Sequence, residues 1–273
     1  MAIELLDVEF CFDGVEIIKR SSTFFEEGLI HLVVGRTGSG KTTLCYLISG
    51  LVKPTGGMVL VDGVNPHSKG FDRKVLQLAF QFPEEQIFAS KVEEEIGFGP
   101  GNFGLKGDEV TQRVAWASSI VGLGSDLLKR SPSELSFGER RRVALASVIA
   151  VRPRYLLLDE PFAGLDCAGR RDLVSAIKSL NQDGMTLIIF THEVDLAGEI
   201  GDTITPIEDG KIGSSYRPQD FLEKIDDGCL LPDHILVARN LVKRGWEGRS
   251  GLRSINQVSE WIIDELQREI TAS

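Results

Sequence analysis

The chain has 273 residues, 42% of them hydrophobic and 26% charged, enough for one substantial core and a modest second domain. Apolar runs such as Leu156–Leu158 and Thr186–Phe190 fall far short of the roughly 20 residues a membrane helix needs, so a membrane role is expected only through a partner. The net charge of −10, from 30 basic and 40 acidic side chains, works against binding a phosphate backbone and leaves Arg140-Arg141-Arg142 as the best candidate for a local basic patch.

In chain order, Met1–Asp7 lacks the basic flank and apolar stretch of a signal peptide, and none is expected. The apolar run Leu29–Val34 reads as a strand ending in a Gly-rich loop, and Lys41–Leu51 carries helical spacing. From about Pro83 to Ala150 strong β runs are missing. Helical patterns over Glu109–Val121 and Glu139–Ala150 predict a mostly helical insert there. Tyr155–Leu158 is a second apolar run, ending in Asp159-Glu160; Leu187–Phe190 is a third, ending in Thr191-His192-Glu193. All three runs resemble buried parallel strands with polar groups at their C-terminal ends, the rim where open α/β sheets bind ligands.

After Gly213 the pattern changes. Pro232–Arg244 and Ser254–Ile270 read as helices, the second with Ser254 and Gln257 in capping-box spacing. Its apolar positions Val258, Trp261, Ile262, Leu266 and Ile270 share one face. The expected organisation is an α/β domain over residues 1–216, with a helical subdomain at about 84–150, and a small helical domain over 217–273. Cys11, Cys45, Cys167 and Cys229 are far apart and read as reduced thiols of a cytoplasmic protein, and the four histidines lack metal-ligand spacing, so no zinc site is expected.

Gly35-Arg36-Thr37-Gly38-Ser39-Gly40-Lys41-Thr42 fits G-x4-G-K-[ST], between a predicted strand and a predicted helix. The glycines let backbone N–H groups converge on a β-phosphate at a helix N-terminus. Lys41 is expected to bridge the β- and γ-phosphates, and the Thr42 hydroxyl to ligate Mg²⁺. Small-molecule kinases, GTPases, helicases and transport ATPases all share this loop. Asp159, at the end of a buried strand, suits contact with Mg²⁺, and Glu160 suits polarisation of an attacking water.

Leu135-Ser136-Phe137-Gly138-Glu139 narrows the choice. Together with the phosphate loop, Gln81, Pro161, Asp166 and His192, it makes residues of about 2–213 resemble the nucleotide-binding domain of ABC ATPases. The resemblance implies the P-loop NTPase α/β fold with a helical subdomain, and binding of ATP with Mg²⁺. Under it, Gly35 through Thr43 hold the phosphates, and Phe12 stacks on adenine, the plainer alternative being a core aromatic. Gln81 touches Mg²⁺ and reports on the transport partner, Glu160 is the base, and His192 holds the γ-phosphate. Ser136 and Gly138 clamp the γ-phosphate of an opposite subunit, and the loop at Asp166 crosses the dimer interface. Hydrolysis therefore requires a dimer that closes on ATP and reopens after hydrolysis.

The family usually reads Leu-Ser-Gly-Gly-Gln, whereas Phe137 and Glu139 stand here at the third and fifth positions. A weaker signature and pairing with a different ATPase subunit are expected. The segment Phe80 to Phe88, then Val92 to Pro100 and Asn102 to Gly104, is similar to the A component of energy-coupling factor (ECF) transporters, importers of vitamins and metal ions. That resemblance implies a transmembrane coupling protein and a substrate-binding membrane subunit as partners, at the cytoplasmic face of the membrane, with the helical tail helping the two ATPases to pair. Glu84 and Glu85 would meet basic residues of the coupling protein. Soluble ABC ATPases that act on DNA or ribosomes are the main rival, and ATPases of other ABC importers a third reading. The acidity and the missing coiled-coil insert or second cassette disfavour the former, and no nucleic acid is expected as partner.

Overall fold

The computed structural model describes residues 1–224, 237, 240–242 and 255–272. Strands β1 (Ala2–Phe12) and β2 (Val15–Glu26) form an antiparallel hairpin. Its turn is Asp13-Gly14, with φ of 48° and 80°, the left-handed geometry that matches the twist of a hairpin. Strand β4 (Gly56–Val61) pairs with the other edge of β1, giving a three-stranded layer. Alternation along these strands buries Ile3, Leu5, Ile18, Phe25, Val59 and Val61 on one face.

The second sheet has six strands, in the order β5 (Leu76–Ala79), β6 (Tyr155–Asp159), β7 (Thr186–Thr191), β3 (Ile30–Val34), β8 (Thr203–Glu208) and β9 (Lys211–Ile212). The first five run parallel, and β9 returns antiparallel to β8. Every residue of β3, β6 and β7 is buried, which is why these segments read as continuous apolar runs and not as alternations. Helix α1 (Lys41–Ser49) follows β3, and its Leu44, Cys45, Leu47 and Ile48 join the core that the two sheets share.

Between β5 and β6 lie α2 (Val92–Asn102), α3 (Asp108–Ile120) and α4 (Phe137–Ile149), preceded by a 3-10 turn at Pro83–Gln86. The helical character expected of this region is present. Its last helix begins two residues before the expected Glu139, because Ser136 and Glu139 form a reciprocal cap. Helix α5 (Cys167–Gln182) connects β6 to β7, short α6 (Leu196–Glu199) leads to β8, and α7 (Pro218–Lys224) follows β9. The C-terminal helix α8 (Ile255–Ala272) buries Val258 and Trp261 in the same apolar cluster as Leu32, Leu187 and Phe221. The expected Pro232–Arg244 helix lies outside the described residues except at 237 and 240–242, as do Ser254 of the expected cap and Cys229. Among the described residues no helix is long and apolar enough to cross a membrane.

Parallel pairing sets the register that matters for chemistry. Val34 lies beside Thr191, and Asp159 beside Phe190, so β3, β6 and β7 end together. The loops after them open on one rim of the sheet.

Candidate nucleotide site

The loop between β3 and α1 is shaped by close approach. A methyl group on Gly35 would collide with the Ile207 carbonyl and the Ser39 hydroxyl. Gly40 has φ of 105° and would press a methyl group to 2.8 Å from Ile18 Cδ1, so no other residue fits there without strain. The Gly35 N–H donates to the Thr191 carbonyl at 3.3 Å, and the Gly210 N–H to the Ser39 carbonyl at 3.1 Å, which ties the loop to the sheet. Arg36, Thr37 and Gly38 are exposed along this loop, and in the first turn of α1 Thr42 is exposed and Thr43 half-buried. Ser39 Oγ is buried without a hydrogen-bond partner, a polar atom that an incoming oxyanion would satisfy. Backbone donors at a helix N-terminus, open glycines and one orphaned hydroxyl fit a polyphosphate.

Lys41 is almost fully buried, and its Nζ donates to the Gly35 carbonyl at 2.8 Å and the Arg36 carbonyl at 3.0 Å. It also lies 3.3 Å from Glu160 Oε1. Glu160 is 9% exposed and adopts φ of 46°, a left-handed conformation costing a non-glycine residue about 1–3 kcal/mol. Its N–H donates to the Phe190 carbonyl at 2.8 Å, and its Oε2 lies 3.0 Å from His192 Nδ1. One carboxylate thus bridges the ammonium of α1 and the imidazole after β7, and the imidazole is more than half exposed.

Asp159 Oδ1 accepts from Thr42 Oγ1 at 3.3 Å. Burial pushes the Asp159 carboxyl above its ordinary range, opposed by the Thr42 hydroxyl. A hydroxyl and a carboxylate side by side form the hard-oxygen donor set that suits Mg²⁺, which keeps waters and phosphate oxygens as its other ligands. Among the described residues no group of three or more His, Cys, Asp or Glu side chains that could hold a metal forms. Gln81 follows β5 on the same edge of the sheet and is exposed. The structure therefore brings Lys41, Thr42, Asp159, Glu160 and His192 together.

Ser136 and Gly138 occupy a different corner, the exposed N-terminus of α4. Glu139 Oε2 accepts from the Ser136 N–H at 2.8 Å and from its hydroxyl at 2.7 Å, and the Ser136 hydroxyl accepts from the Glu139 N–H at 3.3 Å. These bonds hold the Glu139 carboxyl below its usual range. The acid that departs from the family motif is occupied as a helix cap. Phe137 is 50% exposed, and a Cβ added to Gly138 would meet nothing within 4 Å, so this corner is open. Asp166 is exposed and caps α5, accepting from the Gly169 N–H at 2.7 Å. Phe12, at the end of β1, is 63% exposed, so the alternative of a core aromatic does not apply.

Two expectations need correction. Arg140-Arg141-Arg142 is no free basic patch: Arg140 donates to the Leu135 carbonyl at 2.8 Å, Arg141 is buried on main-chain carbonyls, and Arg142 lies 3.6 Å from Asp172. Helical spacing points the three in different directions. Glu85 is exposed, as a docking role needs, but Glu84 is only 9% exposed and faces inward. Sequence reading also missed an ion pair between Arg170 of α5 and Glu193, next to His192, and only the fold brings these residues together.

A sequence profile described as ABC transporter matches residues 18–163, over half of the chain. The chain belongs to the ABC transporter family. Like other ABC cassettes, it is an ATP-binding α/β domain with a helical insert, and it is an ATP hydrolase. This ABC protein is 39% identical over 238 residues to a putative ABC transporter ATP-binding protein of Pyrococcus horikoshii, spanning 86% of this chain and 91% of that one. It is 37% identical over 251 residues to the energy-coupling factor transporter ATP-binding protein EcfA2 of Clostridium perfringens, spanning 88% and 87%. Among solved structures it resembles cbiO1 from Clostridium perfringens, part of the ABC transporter complex cbiONQ, with a TM-score of 0.73 and 26% identity over 89% of this chain and 95% of that one. It also resembles the cassette MJ0796 in a dimeric post-hydrolysis state bound to ADP and Pi, with a TM-score of 0.69 and 25% identity over 79% and 98%.

Proposed function

We propose that this ABC ATPase is the A component of an ECF-type importer, coupling Mg²⁺-dependent ATP hydrolysis to uptake of a vitamin or metal ion. The observation that carries the catalytic part is Glu160, held between Lys41 at 3.3 Å and His192 at 3.0 Å beside the Thr42–Asp159 pair. Its carboxylate accepts the proton of the attacking water, and His192 holds the γ-phosphate through its ring. Lys41 Nζ exchanges the Gly35 and Arg36 carbonyls for phosphate oxygens, and loop N–H groups hold the β-phosphate. Thr42 and Asp159, with Gln81, would hold Mg²⁺, which when bound neutralises charge on the phosphates. The exposed Phe12 stacks on adenine.

Ser136 and Gly138, open to solvent at the head of α4, complete the site of a second ATPase subunit, and Asp166 lies in the loop that crosses between the two. Phe137 crowds that approach where the family has glycine, which favours a heterodimer. The unit over residues 1–216 is the ATPase, and 217–273 helps the subunits to pair. The importer assignment draws on the likeness to EcfA2 and cbiO1 over most of the chain. A transmembrane coupling protein and a substrate-binding membrane subunit then hold the chain at the cytoplasmic face of the membrane, with Glu85 available to basic residues of the former.

The test is purification of the tagged chain from detergent-solubilised native membranes, with every co-purifying protein identified. A polytopic membrane protein with a second ABC ATPase is the expected result. Recovery of soluble partners only, or of ribosomes or DNA, overturns the transport assignment and leaves the ATPase chemistry standing.

A further inference from the structure

Arg141 lies one turn into α4 and is 7% exposed, so its charge is nearly withdrawn from water. Its Nη1 donates to the Ala163 carbonyl and its Nη2 to the Pro161 carbonyl, each at 2.7 Å. A guanidinium presents two parallel donors in a fixed plane, so this grip sets both the distance and the orientation of the loop. The gripped loop is a tight turn that starts at Glu160, closed by the Ala163 N–H donating to the Glu160 carbonyl at 3.2 Å. Glu160 itself sits in the left-handed region, and such a conformation persists only where its surroundings over-determine it.

Phe162 of this turn is buried in the apolar cluster that also holds Val143 and Ala146 of α4, and the guanidinium adds the directional bonds that apolar contact lacks. A cavity of about 410 Å³ separates α4 from α5, lined by Leu145, Leu158, Leu165 and Leu173 and bordered by Arg141 and Pro161. The turn Pro83–Gln86, whose Pro83 borders the same cavity, packs against α4 and buries Glu84. Glu84 Oε2 has no hydrogen-bond partner, and its charge favours the cationic guanidinium against the cost of burial.

We propose that Arg141 is a positioning residue for hydrolysis: it locks the turn carrying Glu160 to the helix that carries Ser136 and Gly138, making α4 and the hydrolytic carboxylate of one chain a single mechanical unit. The proposal rests on the reading of Glu160 as the base. Arg141 touches no reacting atom. Its loss is therefore expected in kcat and not in nucleotide affinity, because the phosphate loop is built from other elements.

The experiment compares ATP turnover and ATP affinity in the purified ATPase assembly for wild type, Arg141→Ala, Glu160→Gln and the double variant. Arg141→Ala is expected to lower kcat about 10- to 100-fold, the scale of a misplacement of about 1 Å, with ATP Kd within about two-fold of wild type. In the Glu160→Gln background the same change is expected to alter the residual rate less than about two-fold, since no carboxylate is left to position. Should Arg141→Ala fail to fold, Arg141→Lys at unchanged Tm decides: a kcat loss of about three-fold or more is expected, because one ammonium cannot reproduce the planar fork. Near-wild-type kcat in the variant that folds, or an equal loss with and without Glu160, overturns the proposal. Near-normal turnover of Glu160→Gln alone instead overturns the base assignment beneath it, an outcome distinct from any result with Arg141.

Discussion

The rim built by β3, β6 and β7 and the corner at the head of α4 treat their polar groups in opposite ways. On the rim, Lys41, Asp159 and Glu160 are buried and each has a partner from another element. At the corner, Ser136, Phe137 and Gly138 are exposed, and the bonds of Ser136 are spent locally on its own helix cap. Buried parallel strands fix their loop positions through register, so the rim is organised before any ligand arrives. A helix N-terminus offers donors to whatever approaches it from outside. The difference teaches that the rim satisfies its polar groups within one chain, whereas the corner leaves its residues open to solvent, as the proposed pairing with a second subunit requires.

The largest expected effect lies on the rim. Glu160→Gln should lower kcat about 100- to 1,000-fold while ATP binding persists, measured by phosphate release and nucleotide titration. Near-normal turnover would place the base elsewhere. Next, Lys41→Ala should weaken ATP binding about 10- to 100-fold, because charge-assisted bonds are lost and Glu160 is left buried without its cation. An unchanged Kd would remove Lys41 from the site.

Ser136→Ala probes the corner. It deletes the hydroxyl that accepts from the Glu139 N–H, and should cost about 1 kcal/mol of stability, a Tm decrease of about 2–4 °C. Its own chain's ATP affinity should be unchanged, and turnover of the assembly reduced. A drop in that affinity would mean that corner and rim are one site within a single chain.

The smallest effect is in the framework under the rim. His31 of β3 is buried, with Nε2 2.7 Å from the Glu26 carbonyl and Nδ1 2.7 Å from Thr203 Oγ1. The carbonyl only accepts, so Nε2 carries the proton and Nδ1 accepts from the hydroxyl, the neutral tautomer. Burial lowers the pKa of this imidazole, so the unfolded chain binds its proton first as pH falls. The contribution of His31 is intact above about pH 6.5 and is lost progressively below it, toward the folded value. His31→Gln should flatten the fall of Tm over that window; an unchanged slope would assign the acid sensitivity to other groups.

Much of the rim was legible because burial on both faces writes continuous apolar runs, and the polar residues closing them stand where the strands end. The α4 corner was legible as a motif but not as geometry. Ser136 and Glu139 have the spacing of a reciprocal cap, which explains both the early helix start and the acid at that position. Helix α2 escaped helical patterning because it contains Gly97, Gly99, Gly101 and Pro100. Packing explains two of these glycines: a Cβ on Gly97 would lie 3.0 Å from Val110 Cγ1, and one on Gly99 2.9 Å from Val151 Cγ2. The antiparallel layer carried a readable signal at Asp13-Gly14 that the apolar-run reading passed over. The inward turn of Glu84 and the grip of Arg141 depend on contacts distant in sequence, and no local pattern encodes them.

The central claim is that the α4 corner acts on the phosphate loop of another subunit. It is tested most directly by placing the photo-crosslinker p-benzoylphenylalanine at Phe137, an exposed aromatic position, in the membrane-derived assembly carrying Glu160→Gln. Illumination with and without Mg²⁺-ATP, followed by peptide mapping, reads the contact. The account predicts an ATP-dependent adduct on the phosphate-loop segment of a second ATPase subunit. An adduct confined to the same chain, or one indifferent to ATP, would contradict it.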